Sequence, residues 1–256
     1  MSAGASPALS IVIPVFNEAQ SLVELHQRLA RTLEKTGRPH EIIFVDDGSW
    51  DESADVLRTL RGRDAAVRMI RFNRNYGQHA ALLAGMERAR GEIIVTLDAD
   101  LQNPPEEIPR LLAALEDGAD VAGGWRVSRR DAWGRRAASW LVNHATSAAI
   151  GVRLRDYGCM LRAYRRSVID RIVAFRGTRR YIPVLAAAFA SSMTEIPVDH
   201  RAREHGRSRY GPLRLLGLVF DLSVQVLALR PAGERAGRLE RNLRGGPRYV
   251  IAEVLE

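Results

Sequence analysis

Residues 91–107 read GEIIVTLDADLQNPPEE, a short apolar run followed by acidic and amide residues and then two prolines. The β-branched residues predict a buried strand, which the prolines end before a helix begins. Side chains alternate along an extended chain, so Asp98, Asp100 and Gln102 can point to one side. Their oxygen atoms suit Mg²⁺ or Mn²⁺ bridging phosphates. The alternative is a pair of solvated turn aspartates, and the flanking strand and prolines favour the metal site.

The chain of 256 residues is long enough for one α/β domain with a full core and a small appendage. Its single cysteine, Cys159, excludes an internal disulfide and fits a reducing compartment. Residues 1–10 have neither a basic start nor a long apolar run, so no signal peptide is expected. Of the 38 basic residues only Lys35 is a lysine. Arginine suits phosphate and anionic membranes, although a GC-rich genome would also favour it.

Apolar runs alternate with helical patterns along the first part of the chain. Strands are expected at 9–16, 41–45, 67–72 and 91–97. Four such units predict an α/β protein with a mostly parallel sheet covered by helices on both faces. Ser49 and Glu52 have the spacing of a capping box before the second helix. Such sheets bind ligands beyond the carboxyl ends of their strands, so the polar clusters after the strands are expected at one edge. These clusters are residues 17–18, 46–47, 73–78 and 98–102.

Three motifs, in this order, resemble the inverting nucleotide-sugar glycosyltransferases that have the GT-A fold. They read SIVIPVFNE at 10–18, VDDGS at 45–49 and LDADLQ at 97–102. The resemblance implies a nucleotide-sugar donor whose nucleoside meets the VDDGS motif and whose diphosphate is held by a metal at the LDADLQ motif. The donor-binding residues that it implies are Pro14, Asn17, Glu18, Asp46, Asp47 and Asp98, and the metal ligands are Asp98, Asp100 and Gln102.

The second half of the chain narrows the class. Residues 156–166 read DYGCMLRAYRR, and arginines cluster at 126–130 and at 203–209. This set is similar to the polyprenyl-phosphate glycosyltransferases, which include dolichyl-phosphate mannose synthase and the bacterial undecaprenyl-phosphate formamido-arabinose transferases of lipid A modification. The resemblance covers about residues 9–229 and implies a lipid-phosphate acceptor. The catalytic residues that it implies are Asp98, Asp100, Arg126, Arg129 and Arg203, with a solvated surface charge as the alternative for each arginine.

The chemistry of such an acceptor explains the arginines. A phosphate monoester is largely dianionic at neutral pH and is already a nucleophile. It must be placed beside the anomeric carbon of the sugar, and its charge must be offset against that of the donor diphosphate. Arginine does both, because its N–H groups pair bidentately with phosphate oxygens.

Two other functions stay open on the sequence alone. A GT-A enzyme that adds sugar to a glycan hydroxyl would need a general base, and no candidate base stands out. A degenerate protein that binds a nucleotide sugar or a membrane without turnover is the second. The polar C-terminal tail favours this second function, and the intact Asp-x-Asp motif opposes it.

The expected organisation is a GT-A domain at 1–211, an interfacial amphipathic helix at 212–229 and a polar tail without regular structure at 230–256. Arg214, Asp221 and Gln225 interrupt the apolar segment, which is too short and too charged for a membrane span of about 20 apolar residues. The protein is therefore expected to bind peripherally at the cytoplasmic face of the cell membrane, in cell-envelope or lipopolysaccharide synthesis. A membrane protein or a second copy of the chain is a further candidate partner, and nucleic acid is not expected.

Overall fold

The computed structural model describes residues 7–126, 155–156, 158–175, 181–199 and 249–256. The strands are β1 (Leu9–Val15), β2 (His40–Asp46), β3 (Val67–Phe72), β4 (Ile93–Thr96), β5 (Val121–Arg126), β6 (Arg162–Arg165), β7 (Met193–Val198) and β8 (Ile251–Leu255). The helices are α1 (Ala19–Thr36), α2 (Ser53–Arg63), α3 (Gln78–Arg88), α4 (Ile108–Glu116), α5 (Arg166–Ala174) and α6 (Ile182–Phe189), and a 3₁₀ turn spans Pro105–Glu107.

The described strands form one mixed sheet in the order β7-β5-β6-β4-β1-β2-β3-β8. Strand β1 pairs in parallel with β2 and with β4, and β2 pairs in parallel with β3, which confirms the predicted parallel core. Strand β6 is antiparallel to both β4 and β5, and β7 is parallel to β5. Strands β1 to β5 therefore share one direction, and their carboxyl ends lie at one edge of the sheet.

Helices cover both faces of the sheet, as predicted. Because side chains alternate along β1, Ile11 and Ile13 pack on one face with Leu25 and Leu29 of α1, whereas Val12 packs on the other face. Helices α1, α2 and α4 lie on the first face, and α3, α5 and α6 lie on the second. Burying one such leucine stabilises the fold by about 1.5–3 kcal/mol. Both layers therefore hold the strand ends in place.

The predicted capping box before α2 is wrong. The helix begins at Ser53, and its N-cap residue Glu52 makes no side-chain capping hydrogen bond. The hydroxyl of Ser49 instead accepts the backbone N–H of Asn17 at 2.9 Å. This hydroxyl joins the loops after β1 and β2.

The structure differs from the predicted tail at the C-terminus. Strand β8 lies within the segment 230–256 and pairs antiparallel with the outer edge of β3. Its Glu253 accepts hydrogen bonds from Nε and Nη2 of Arg58 at 3.1 and 2.7 Å, which helps to fix the strand on that edge. The rest of the tail and the interfacial helix predicted at 212–229 lie outside the described residues.

Candidate active site

The predicted polar clusters lie side by side at the carboxyl edge of the sheet. They follow β1, β2, β3 and β4, which are neighbours in the order β4-β1-β2-β3 and run in parallel. The expectation that they share one edge is therefore confirmed. This edge is the position at which parallel α/β sheets bind ligands.

The loops after β1 and β2 are joined by hydrogen bonds. Asn17 has a left-handed backbone with φ of 55°, which is uncommon for a residue other than glycine. Its N–H donates to Oγ of Ser49, and its Oδ1 accepts the N–H of Trp50 at 3.0 Å. The N–H of Glu18 donates to Oγ of Ser53 at 3.0 Å. The first two motifs are thereby held as one unit.

Asp46, at the end of β2, is fully buried. Its Oδ1 accepts the N–H of Ser49 at 2.8 Å. Its Oδ2 lies 3.1 Å from Nε of Arg71, close enough for an ion pair but without the alignment of a hydrogen bond. Pro14 lies on the neighbouring strand β1, opposite Val45 in the register. A buried carboxylate oxygen without an aligned donor is a place where a ligand N–H or O–H can bind.

Asp47 has a different environment from its neighbour. It is 3% exposed, and its two oxygens accept the backbone N–H groups of Tyr76 at 2.6 Å and Gly77 at 2.9 Å. Burial raises the pKa of Asp47 to about 6, the charge of Asp46 adds to this, and the two N–H donors oppose it. Both oxygens of Asp47 are therefore used to hold the loop after β3.

The Asp-x-Asp segment forms a tight turn at the end of β4. Leu101 is buried and has a left-handed backbone with φ of 61°. Oδ1 of Asp98 accepts a hydrogen bond from Nε2 of Gln78 at 2.5 Å. Oδ1 of Asp100 accepts the N–H of Gln102 at 3.2 Å. Both carboxylates are half-buried, so they lie at the surface of the site and not in the core.

The oxygen donors of this turn fit a divalent cation that a substrate helps to bind. Within the residues that the structure describes, no three His, Cys, Asp or Glu side chains are grouped as a metal site. Asp98 and Asp100 supply two carboxylates, and Gln102 is the third ligand that the sequence predicts. Mg²⁺ is commonly held by one or two carboxylates together with phosphate oxygens of the substrate.

Arg126 is the last residue of β5 and lies at the same edge. Its Nε donates to Oδ2 of Asp156 at 2.7 Å, and its Nη2 donates to Oδ1 at 3.0 Å. Asp156 is 2% exposed, so this bidentate pair fixes the orientation of the guanidinium. The other two arginines of the predicted clamp, Arg129 and Arg203, lie outside the described residues.

Three residues to which the sequence assigned no role each contact a predicted site residue. They are Gln78 on Asp98, Arg71 beside Asp46 and Asp156 on Arg126. A signal was present for two of them, because Gln78 ends the polar cluster after β3 and Asp156 opens the DYGCMLRAYRR run. Their contacts join distant parts of the chain, so the sequence pattern alone did not reveal the partners.

Comparison with known proteins identifies relatives of the chain. The model of the family described as glycosyl transferase family 2 matches residues 10–173. The chain is 52% identical over 215 residues to the undecaprenyl-phosphate 4-deoxy-4-formamido-L-arabinose transferase of Pseudomonas syringae pv. syringae strain B728a. The aligned region covers 84% of this chain and 64% of that protein. It is 53% identical over 215 residues to the transferase of the same name from Pseudomonas fluorescens strain Pf-5, and this alignment covers 84% of this chain and 63% of that protein. The chain thus spans about 64% of the length of the curated relatives that it matches.

Solved structures share the fold. Glucosyl-3-phosphoglycerate synthase from Mycobacterium tuberculosis, in complex with Mn²⁺, UDP and glucosyl-3-phosphoglycerate, matches with a TM-score of 0.62 and 20% identity over 90% of this chain and 80% of that chain. S. aureus TarS 1–349, in complex with UDP-GlcNAc, matches with a TM-score of 0.58 and 16% identity over 91% of this chain and 69% of that chain. Together with the family match, these likenesses confirm the predicted GT-A fold.

Proposed function

Because this chain belongs to glycosyl transferase family 2, we propose that it moves a sugar, with inversion, from a nucleotide-sugar donor to a polyprenyl phosphate. The observation that carries the proposal is the identity of 52% over 215 residues to a transferase named for undecaprenyl phosphate. The geometry of the carboxyl edge supports it, because buried and half-buried carboxylates and a fixed guanidinium lie at this same edge. A donor diphosphate with its cation and an anionic acceptor suit these charges.

The nucleoside end of the donor is proposed to lie at the ends of β1 and β2, against Asp46 with Pro14, Asn17 and Glu18. The buried Oδ2 of Asp46 supports this, because a nucleobase N–H or a ribose O–H could give it the aligned hydrogen bond that it lacks. Both oxygens of Asp47 already accept backbone N–H groups. Of the two neighbouring aspartates, Asp46 is therefore the better candidate for direct contact.

The diphosphate is proposed to lie at Asp98, Asp100 and Gln102, together with Mg²⁺ or Mn²⁺. A divalent cation bound there would offset the charge that develops on the leaving diphosphate. The protein must hold these carboxylates in place. The hydrogen bond from Gln78 to Asp98 does so for one of them. The M. tuberculosis synthase, whose complex contains Mn²⁺ and UDP, supports a divalent cation for this fold.

The acceptor phosphate is proposed to lie against Arg126, Arg129 and Arg203. One of its oxygens forms a bond to the anomeric carbon while the bond from that carbon to the nucleoside diphosphate breaks, which inverts the configuration. The acceptor is largely dianionic, so this step needs no general base. Asp156 holds Arg126 in one orientation, which favours its use as a positioned donor toward phosphate.

If the acceptor is a polyprenyl phosphate, the reaction takes place at a membrane surface. None of the helices in the described part of the chain combines the length and the apolar character that crossing a bilayer requires. We propose peripheral binding at the cytoplasmic face of the cell membrane, through the segment 212–229 and the net charge of +8, in the synthesis of lipopolysaccharide or another envelope glycan.

Co-sedimentation with anionic vesicles should be strong at low salt and weak at high salt. Binding that resists high salt and alkaline carbonate would contradict peripheral attachment. Failure to bind at low salt would contradict binding by the chain itself and indicate a membrane partner.

A transfer assay tests the proposed function directly. The chain would be incubated with Mn²⁺, undecaprenyl phosphate in detergent and a panel of nucleotide sugars that begins with nucleotide-linked 4-deoxy-4-formamido-L-arabinose. We expect release of nucleoside diphosphate that depends on the lipid phosphate, together with a glycosylated lipid. Transfer to a glycan hydroxyl but not to the lipid, or donor binding without turnover, would overturn the proposal.

A further inference from the structure

The loops after β2 and β3 pack with backbone against backbone. Gly48 has φ of 70°, and a Cβ atom at this position would lie 2.3 Å from the carbonyl carbon of Arg74 and 2.7 Å from the backbone N of Asn75. A side chain does not fit in that space, so the glycine permits the close approach. The position of one loop therefore determines the position of the other.

Asp47 fixes the second of these loops at its far end. Its carboxylate accepts the N–H groups of two consecutive residues, Tyr76 and Gly77, at 2.6 and 2.9 Å. Gly77 has φ of 96° and is the N-cap residue of α3. Hydrogen bonds from backbone N–H groups to a buried carboxylate are charge-assisted and strong. Asp47 thereby determines where α3 begins.

The first residue of α3 contacts the Asp-x-Asp motif. Gln78 donates a hydrogen bond from Nε2 to Oδ1 of Asp98 at 2.5 Å. An ionised carboxylate only accepts hydrogen bonds, so it is the amide nitrogen that must face Asp98. This contact restricts the rotation of the Asp98 side chain, whose oxygen atoms are the proposed ligands of the cation.

We infer that Asp47 and Gln78 are positioning residues, which together orient the carboxylate of Asp98 toward the diphosphate and its divalent cation. This inference rests on the proposed function. Asp47 acts through the backbone of Tyr76 and Gly77, and Gln78 acts by direct contact. The residue beside the nucleoside-binding Asp46 is thus connected to the opposite end of the donor. Asp47 is thereby assigned to the metal-dependent half of donor binding and not to the nucleoside contact that the sequence motif implies.

Calorimetric titration of UDP into the full chain, with and without Mn²⁺, tests this assignment. The variants are Asp47→Asn, Gln78→Met and the double substitution. Asn keeps one acceptor but turns an amide N–H toward a backbone N–H, and Met keeps the length of Gln78 but removes the hydrogen-bond donor. Loss of a residue that orients a metal ligand typically lowers metal affinity about 10- to 100-fold. We expect each single variant to weaken UDP binding by about that factor with Mn²⁺ and to leave binding without metal unchanged.

The double variant and a matched control sharpen the test. If both residues act on Asp98 through one path, the double variant should bind no more weakly than the weaker single variant. Asp51 provides the control, because its oxygens accept the N–H groups of Ala19 at 3.2 Å and Ser53 at 3.0 Å at the same edge. Asp51→Asn should leave the Mn²⁺ dependence of UDP binding unchanged. Thermal melting of each variant would separate loss of the fold from loss of binding.

Four outcomes would count against the inference. Equal weakening of UDP binding with and without Mn²⁺ would place Asp47 on the nucleoside. Losses that multiply in the double variant would show that the two residues act independently. An unchanged affinity of Gln78→Met for UDP in the presence of Mn²⁺ would show that the contact from Gln78 to Asp98 does not orient the carboxylate for metal-dependent binding. If the unmodified chain shows no Mn²⁺-dependent binding of UDP, the inference fails, whereas the proposed function fails only if the transfer assay shows no transfer from any nucleotide sugar of the panel.

Discussion

The two edges of the sheet differ in the hydrogen bonds of their buried carboxylates. The amino edge is the one at which the parallel strands β1 to β4 begin, opposite the carboxyl edge. At the amino edge, Glu41 accepts hydrogen bonds from Oγ of Ser10, from the N–H of Arg90 and from Nη1 of Arg68, each at 2.6 Å. At the carboxyl edge, Asp46 is also buried, but its Oδ2 has no aligned hydrogen bond within the described residues. A buried carboxylate with aligned hydrogen bonds on both oxygens stabilises the fold, whereas the oxygen of Asp46 without one is explained by the ligand that we propose to bind there.

Backbone strain follows the same division. In the described part of the chain, both residues other than glycine with positive φ, Asn17 and Leu101, lie in loops at the carboxyl edge. Most of the buried side-chain polar atoms that have no hydrogen bond in that part lie there too. They are Asp46 Oδ2, His79 Nδ1 and Arg162 Nη1, against one atom each on Arg61 and Arg68 elsewhere. Strained backbone and polar atoms without hydrogen bonds of this kind cluster at functional sites, which supports the placement of the proposed site at the carboxyl edge.

The largest effect is expected for Asp100→Asn at the carboxyl edge. Removing one proposed anionic ligand of the divalent cation should lower the transfer rate about 100- to 1000-fold and weaken UDP binding in the presence of Mn²⁺. The melting temperature should not fall, because Asp100 is half-buried and outside the core. Calorimetry and a transfer assay would measure this, with the exposed Asp117→Asn as the control. Equal UDP affinity for Asp100→Asn and the unmodified chain, with and without Mn²⁺, would contradict the proposal that Asp100 is a ligand of the divalent cation.

Glu41→Gln tests the amino edge and should give the next largest effect. Arg68 is 6% exposed, so loss of the carboxylate beside it should lower the free energy of unfolding by about 3 kcal/mol. Donor affinity of the folded protein should stay unchanged, because the site lies at the other edge. Denaturant titration is the measurement. Asp55→Asn, which breaks the exposed pair with Arg58, should change stability by less than about 1 kcal/mol. A loss of UDP affinity in Glu41→Gln would show that the edges are not separable.

Arg126→Met addresses the acceptor side of the carboxyl edge. A charge-assisted hydrogen bond contributes about 1.5–3 kcal/mol, so we expect the KM for polyprenyl phosphate to rise about 10- to 100-fold while donor affinity is kept. Kinetics at varied lipid concentration would measure it. Arg110→Met, which removes an exposed arginine paired with Glu107 on the side of α4, is the control and should leave this KM unchanged. Lost donor affinity with an unchanged KM for the lipid would reassign Arg126 to the donor.

The smallest expected effect is a pH dependence of stability that comes from Asp47. Its pKa is raised from 3.8 to about 6, so between these values the folded chain binds more protons than the unfolded chain. Stability conferred by this group is therefore greatest at low pH and decreases as the pH rises through that window. The unmodified chain should lose about 1–2 kcal/mol relative to Asp47→Asn between pH 4 and pH 6, because one unit of pKa corresponds to about 1.4 kcal/mol. Paired denaturant titrations at several pH values would measure this loss. A gain in the stability of the unmodified chain relative to Asp47→Asn as the pH rises would contradict the prediction.

The sequence by itself determined the parallel core and the edge at which the candidate site lies. Apolar β-branched runs and the helical spacing of leucines are local signals, and parallel strands joined by helices must end at one edge. For the same reason the four polar clusters could be assigned to that edge before any contact was known. The resemblance of the motifs added the GT-A fold and the nucleotide-sugar family.

Only the tertiary structure decided which neighbour each of these side chains meets. Asp46 and Asp47 are adjacent in sequence, yet one keeps a buried oxygen without an aligned bond while the other holds a loop about 30 residues further on. Arg126 meets Asp156 at the same separation along the chain. Strand β8 pairs with β3, which lies far earlier in the sequence. Such contacts depend on how the sheet brings distant segments together, and on burial and alignment at distances near 3 Å, which no local pattern encodes.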